Sequence, residues 1–197
     1  MLKFDKVSLS FTTEGRKQEI VKDLTYTFED GKITALTGAS GIGKTTLLDL
    51  AAGLIKADSG RVENTYKRTA YVFQEPRLLP WQTALENVVG VCGSEEVAKR
   101  YLDILLPGEY DKYPDELSGG MQQRVALARA MAYDAELLLL DEALKGLDEQ
   151  TKELVVKVLS EHLVGRTAIM VTHDKSDMAL CNTVLVADSS PITELKR

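Results

Sequence analysis

The chain has 197 residues, 44% of them hydrophobic, which suits one large domain or one domain with a small insertion. Lys plus Arg total 24 against 30 Asp plus Glu, and the resulting charge of −6 excludes a global basic field that would recruit nucleic acid or an anionic membrane. No apolar run approaches the roughly 20 residues a membrane span needs, so any membrane role is expected to come through a partner.

Charges interrupt the apolar positions of the N-terminal MLKFDKVSLSF, which is not expected to be a signal peptide. Leu2, Phe4, Val7, Leu9 and Phe11 alternate with polar residues as a half-buried strand interrupted near Asp5-Lys6. Residues 12–18, with Gly15, read as a polar loop. Leu24, Tyr26 and Phe28 alternate again before an Asp30-Gly31 turn, so a short antiparallel sheet is expected here.

The stretch ITALTGASGIGKTTLL, from Ile33 to Leu48, is the one around which the chain is organised. Ile33 to Leu36 reads as a buried strand, and Lys44 opens a helix that runs to about Ala52 and stops at Gly53. Between them, Gly38, four intervening residues and Gly43-Lys44-Thr45 fit G-x-x-x-x-G-K-[ST]. Glycines let the backbone curl so that successive N–H groups face one anion, and the helix N-terminus adds its positive end. Lys44 supplies a mobile cation for the outer phosphates, and the Thr45 hydroxyl is placed to ligate Mg²⁺. A glycine-rich turn that merely contains a lysine is the bland alternative; the strand before and the helix after argue against it. The chain is expected to bind a nucleoside triphosphate.

Ser59-Gly60 marks a turn, and Thr69 to Phe73 is a second buried strand ending at Gln74. From Pro76 to about Asp115 a helical insertion is expected. Thr83 to Glu86 fits a capping box, and Ser94 can cap a helix carrying Val97, Tyr101, Leu102 and Leu105. A helix from Ser118 to about Tyr133 and a strand from Leu137 to Asp141 come after it. Next come a helix from about Glu149 to Leu163, whose Val155, Val158, Leu159 and Leu163 form a core stripe, and a strand from Ala168 to Thr172. A final helix and the strand Val184 to Ala187 close the pattern. Strands alternating with helices predict a parallel sheet covered on both faces. Cys92 and Cys181 lie far apart without ligand spacing and read as reduced packing thiols.

Two further stretches carry chemistry. In Leu137-Leu138-Leu139-Leu140-Asp141-Glu142 a buried strand would carry Asp141 to a phosphate-bound Mg²⁺, with Glu142 one step on, where a carboxylate can polarise an attacking water. In Leu117-Ser118-Gly119-Gly120-Met121-Gln122, Ser118 can cap a helix whose first N–H groups stay open to an anion. One chain thus holds two phosphate-seeking helix starts; a plain capped helix after a Gly-Gly turn is the alternative for the second.

In these motifs the chain resembles the nucleotide-binding subunit of an ATP-binding cassette (ABC) transporter over nearly all its length. Gly38–Thr45 is similar to the Walker A loop, Leu137–Glu142 to Walker B and Leu117–Gln122 to the signature sequence. Gln74 resembles the Q-loop glutamine, Leu147-Asp148 the end of the D-loop, and His173 in Val171-Thr172-His173-Asp174 the switch histidine. Phe11 occupies the place of the aromatic that stacks on adenine. The resemblance implies a RecA-like P-loop NTPase α/β core with a parallel sheet, an N-terminal antiparallel β-subdomain and an inserted helical subdomain. Residues 1–75 and 134–197 would form the core with the β-subdomain, and 76–133 the helical subdomain. It implies a head-to-tail homodimer with each ATP between Walker A of one copy and the signature of the other. Nucleotide would meet Phe11, Gly38, Ala39, Ser40, Gly41, Ile42, Gly43, Lys44, Thr45 and Thr46, with Ser118, Gly119 and Gly120 contributed across the dimer. Thr45, Gln74 and Asp141 would hold Mg²⁺, Glu142 would be the general base, and His173 would contact the γ-phosphate. Met121 replaces the glutamine common after Ser-Gly-Gly, and Ala143 stands where a proline often follows the glutamate, which leaves that loop less stiff.

The stretch from Glu75 to Val88 looks like the post-Q-loop segment of nitrate, sulfonate, taurine and thiamine-precursor importers. There Leu78, Leu79 and Trp81 would line a groove for a helix of the membrane permease; packing of the helical insertion is the alternative. The 43 residues between Gln74 and Ser118 are short for this arm, and with the sequence running only a few residues past Pro191 no regulatory domain is expected. The expected function is ATP hydrolysis in a bacterial importer of a small solute, with a solute-binding protein as indirect partner and no nucleic acid. The subunit would be cytoplasmic, held on the inner membrane face through the permease. A soluble cassette ATPase of DNA repair or translation is the competing class, though those carry coiled-coil insertions or two cassettes. A nucleotide sensor without turnover is disfavoured by Glu142 and His173 standing together.

Overall fold

The computed structural model describes residues 1–13 and 15–197. Strands β1 (Leu2–Thr13) and β2 (Arg16–Phe28) pair antiparallel, Leu2 opposite Phe28 and Phe11 opposite Gln18. The polar loop expected at 12–18 is far shorter, because Thr12 pairs with Lys17 and the backbone ladder continues beyond the last buried side chain. Glu14, part of that expected loop, lies outside the described residues. The interruption near Asp5-Lys6 is present: Lys6 has φ 50° and the register slips between Phe4 and Val7. This bulge keeps Leu2 and Phe4 on the same buried face as Val7 and Leu9.

A third strand, β4 (Ser59–Asn64), pairs with the other edge of β1, Phe4 opposite Val62. The sequence pattern predicts only a turn there. SGRVEN carries a single apolar residue and shows no alternation, so its strand character comes from the free edge of β1.

The second sheet contains β3 (Ile33–Gly38), β5 (Thr69–Val72), β6 (Leu137–Asp141), β7 (Thr167–Val171) and β8 (Thr183–Ala187) in the order β5-β6-β7-β3-β8. Every neighbouring pair is parallel, as the strand–helix alternation predicts. The helices are α1 (Lys44–Ala52), α2 (Ala84–Cys92), α3 (Glu95–Leu105), α4 (Gly119–Ala132), α5 (Glu149–His162) and α6 (Lys175–Met178). Phe73 and Thr172 fall one residue beyond the strands expected to hold them. A short 3₁₀ turn, Pro114–Glu116, closes the helical insertion without a signal in the sequence pattern.

Period-two alternation divides the core. Leu138, Leu140, Ala168 and Met170 face a cluster with residues of α2, α3, α4 and α5. Leu137, Leu139, Ile169 and Val171 face the other cluster, shared with α1 and the antiparallel sheet. All five residues of β6 are buried, and at about 1.5–3 kcal/mol for each fully buried leucine this strand holds its terminal carboxylates firmly. The C-terminal residues fold back: Ile192 is fully buried and bridges to Val21, and Lys196 bridges to Val186. Among the described residues no helix is long and apolar enough to cross a membrane.

Candidate active site

In a sheet whose strands all run one way, every carboxyl end opens on the same edge, where ligands collect. Here β3 delivers the glycine loop, β5 leads to Gln74, β6 ends in Asp141-Glu142 and β7 leads to Thr172-His173. A cleft of about 250 Å³ is lined by Ser40, Gly41, Gly43, Lys44, Thr45, Thr46, Gln74, Asp141 and Glu142, with Lys145 and Val171.

Two glycines of the loop answer to contacts as well as dihedrals. Gly38 has φ 145°, and a Cβ there would stand 2.2 Å from the Ala187 carbonyl oxygen of β8; at Gly43, φ 116°, it would meet Ile20 Cγ2 at 2.5 Å. Gly43 also precedes α1 without any side-chain cap, whereas Thr83, Ser94, Ser118 and Asp148 each cap their own helix. The first N–H groups of α1 are therefore left for an anion at the positive end of the helix.

Lys44 is buried and donates from Nζ to the Gly38 and Ala39 carbonyl oxygens at 2.9 and 2.8 Å, lying across the loop it serves. Burial pulls its ammonium below the usual lysine range, opposed by the charges of Glu142 and Asp141. Thr45 Oγ1 donates to Asp141 Oδ2 at 2.7 Å. Burial raises Asp141, the Thr45 hydrogen bond lowers it, and the neighbouring Glu142 and Asp49 charges raise it further. The Thr45 hydroxyl, the Asp141 carboxylate and the amide oxygen of Gln74 in the same cleft are hard oxygen donors of the kind that suit Mg²⁺.

Glu142 carries φ 47°, a left-handed backbone that costs a non-glycine residue roughly 1–3 kcal/mol and re-aims the side chain as β6 ends. Its N–H donates to the Val171 carbonyl oxygen at 3.0 Å. Gln74 Nε2 stands 3.4 Å from Glu142 Oε2, and His173 Nε2 stands 3.9 Å from Oε1. Behind His173, Thr172 donates to Asp177 Oδ2 at 2.6 Å, while Lys152 pairs with Asp177 at 2.8 Å and also with Asp174. Lys152, Asp174, Asp177, Thr172 and His173 line an adjoining cleft of about 350 Å³ that reaches Glu142.

The structure brings together Lys44, Thr45, Gln74, Asp141, Glu142 and His173. It does not bring the signature residues to them. Ser118, whose Oγ accepts from the Met121 N–H at 3.3 Å, and Gly120 line a separate cleft with Gly146, Leu147 and Asp148. Phe11 is 43% exposed, outside the core its alternation pattern would have joined. Lys145, whose Nζ donates to Glu142 Oε2 at 2.6 Å, is a site residue that the sequence motifs do not pick out. Its position three residues after Glu142, across a single turn, is the one signal available.

Residues 21–145 match the family described as ABC transporter. The aliphatic sulfonates import ATP-binding protein SsuB of Corynebacterium glutamicum is 40% identical, across 89% of this chain and 77% of that protein. The uncharacterized ABC transporter ATP-binding protein YtlC of Bacillus subtilis is 38% identical, across 98% of this chain and 81% of its own length. Among solved structures, the ATP-binding cassette MJ0796, dimeric in a post-hydrolysis state bound to ADP and Pi, superposes with a TM-score of 0.89. It is 26% identical, with 100% of this chain and 97% of that chain covered.

Proposed function

The chain belongs to the ABC transporter family as an ATP-binding, ATP-hydrolysing subunit of the importer type, and we propose that it drives uptake of a small solute through a membrane permease. The observation that carries this reading is the single cleft holding Lys44, Thr45, Asp141 and Glu142 at the carboxyl edge of one parallel sheet. The loop N–H groups and Lys44 bind the β- and γ-phosphates, and the exposed face of Phe11 stacks on the adenine. Mg²⁺ held by Thr45, Gln74 and Asp141 would neutralise charge developing on the transferred phosphoryl group. Glu142 orients a water and takes its proton, and His173 steadies the γ-phosphate from the end of β7.

The separation of the signature cleft from the phosphate loop supports a head-to-tail homodimer, since a second copy would bring Ser118, Gly119 and Gly120 to the far side of the nucleotide. Residues 76–133 then act as the helical unit and the remainder as the core. Trp81, 70% exposed, and Leu79, 40% exposed, offer an apolar face for a permease helix, while Leu78 packs inward. That attachment places the subunit on the cytoplasmic face of the membrane, with a solute-binding protein acting from the far side. Aliphatic sulfonates, named for the relative, are the first solutes to test. Co-expression with a permease partner should yield a complex whose Mg²⁺-ATP hydrolysis is coupled to uptake; a chain that releases no phosphate from Mg²⁺-ATP overturns the reading.

A further inference from the structure

Lys145 stands on the short stretch between β6 and α5 and reaches back to the carboxylate at its start. The turn is closed by the Lys145 N–H donating to the Glu142 carbonyl oxygen at 3.0 Å, and the Nζ–Oε2 contact is 2.6 Å. The lysine side chain is 64% exposed and the glutamate 19%. The lysine can therefore swing into water at little cost, while the glutamate is held in place. An ammonium at this distance occupies a lone pair of Oε2 and blocks the approach of a water to that oxygen. Gln74 shares the same oxygen at 3.4 Å, so the pair fixes which way the carboxylate is turned.

The stretch runs on into the other face of the chain. Gly146, Leu147 and Asp148 line the signature cleft with Ser118 and Gly120, whereas Lys145 lines the phosphate cleft. Resting on the cassette-ATPase reading above, we propose that Lys145 is a positioning residue that restrains Glu142 in the isolated subunit. The restraint is released when residues 145–148 dock against a second copy. Hydrolysis is thereby held down until two subunits meet.

The test measures ATP turnover by the full chain over a range of protein concentrations, for wild type, Lys145→Met, Lys145→Gln and Lys145→Arg. At low concentration the Met and Gln variants should turn over ATP about two- to five-fold faster than wild type, the range a largely exposed ion pair supports. KM for ATP should stay within about two-fold. The advantage should vanish where the wild-type rate no longer rises with concentration, and Lys145→Arg should behave as wild type. Unchanged or slower turnover in both neutral variants at low concentration overturns the proposal. So does a several-fold rise in KM, which would make Lys145 a phosphate ligand. Using two neutral variants guards against one failing to fold, and the exposed turn position tolerates either. Wild-type protein without ATPase activity would refute the parent reading, whereas an active wild type with unaltered variants refutes this inference alone.

Discussion

Thr45 and Asp141, 96 residues apart in the chain, are joined by a 2.7 Å hydrogen bond across the end of β7. The bond ties the start of α1 to the end of β6, and so links the glycine loop to the carboxylate pair. Thr45 and Asp141 would be the oxygen donors for a divalent cation, which would supply charge neutralisation at the phosphates. The site is built before its ligand arrives, which favours binding because little ordering remains to be done.

Lys44→Ala tests the phosphate loop. The substitution removes the cation proposed to face the β/γ-phosphates and the two hydrogen bonds that brace Gly38 and Ala39. ATP affinity or turnover should fall by at least two orders of magnitude, on the order of 3 kcal/mol. Equilibrium nucleotide binding and phosphate release check both parts, and near-normal hydrolysis sinks the assignment.

Ser118→Arg tests the sandwich. Ser118 and Gly120 lie in a cleft apart from Lys44, so monomeric nucleotide binding should be nearly intact while ATP-induced dimerisation is blocked. Light scattering with and without ATP reads the second effect and nucleotide titration the first. Lost binding in the monomer would assign Ser118 to folding through its cap of α4 instead.

How much of the fold and the site is legible in the sequence depends on the kind of signal each element carries. The phosphate loop and Leu137–Asp141 announce themselves because their chemistry is local: glycines at fixed offsets, or an unbroken apolar run ending in carboxylates. The capping box at Thr83 and Glu86 is equally local, and both of its hydrogen bonds are present. β4 is unreadable because its reason to be a strand is the edge of β1, where Val62 faces Phe4 from far along the chain. The Lys145–Glu142 pair escapes because a lysine in a turn ordinarily faces water, and the left-handed φ of Glu142 at the start of that turn leaves no mark in the sequence. The folded-back Ile192 likewise depends on a surface that exists only after both sheets form.

Trp81→Ala tests the permease-facing surface. At 70% exposure the indole contributes little to the fold of the isolated chain, so its ATPase activity and melting temperature should stay close to wild type. Assembly with a permease should weaken by about tenfold or more, as loss of an exposed aromatic anchor commonly does. An unfolded or inactive isolated variant would return Trp81 to core packing.

His162 gives the fold an acid-sensitive contact between α5 and α3. Its Nδ1 lies 3.3 Å from the Tyr101 hydroxyl, and the rings meet edge to face at 5.8 Å. Burial pushes the imidazole down to about 4, with the Arg166 charge acting the same way. The folded value lies below the unfolded value of about 6.5, so the unfolded chain takes up the extra proton. The contribution to stability is full above pH 6.5 and is lost as pH falls toward 4, by up to about 3 kcal/mol. Urea unfolding at pH 7 and pH 4.5 should show a larger acid loss for wild type than for His162→Phe, and equal losses would count against it.

Glu142→Gln separates turnover from binding. Glu142 follows Asp141 at the end of a fully buried strand and lines the same cleft as Lys44 and Thr45. Glutamine preserves the shape and can still accept a hydrogen bond, but it cannot take the proton of an attacking water. Loss of a general base typically costs roughly 10²–10⁴-fold, so hydrolysis should collapse while ATP and Mg²⁺ still bind. The substitution also removes a negative charge that, on the proposed mechanism, would face the γ-phosphate, which would lower repulsion inside a closed dimer. The variant should therefore accumulate as an ATP-bound dimer at concentrations where wild type elutes as a monomer. It also lacks the charge that Lys145 pairs with, so Lys145→Met should have no further effect on turnover in this background. Gel filtration with saturating ATP reads the dimer, and phosphate release reads the chemistry. Wild-type turnover in the variant removes Glu142 from the mechanism, and a variant that stays monomeric under saturating ATP refutes the sandwich.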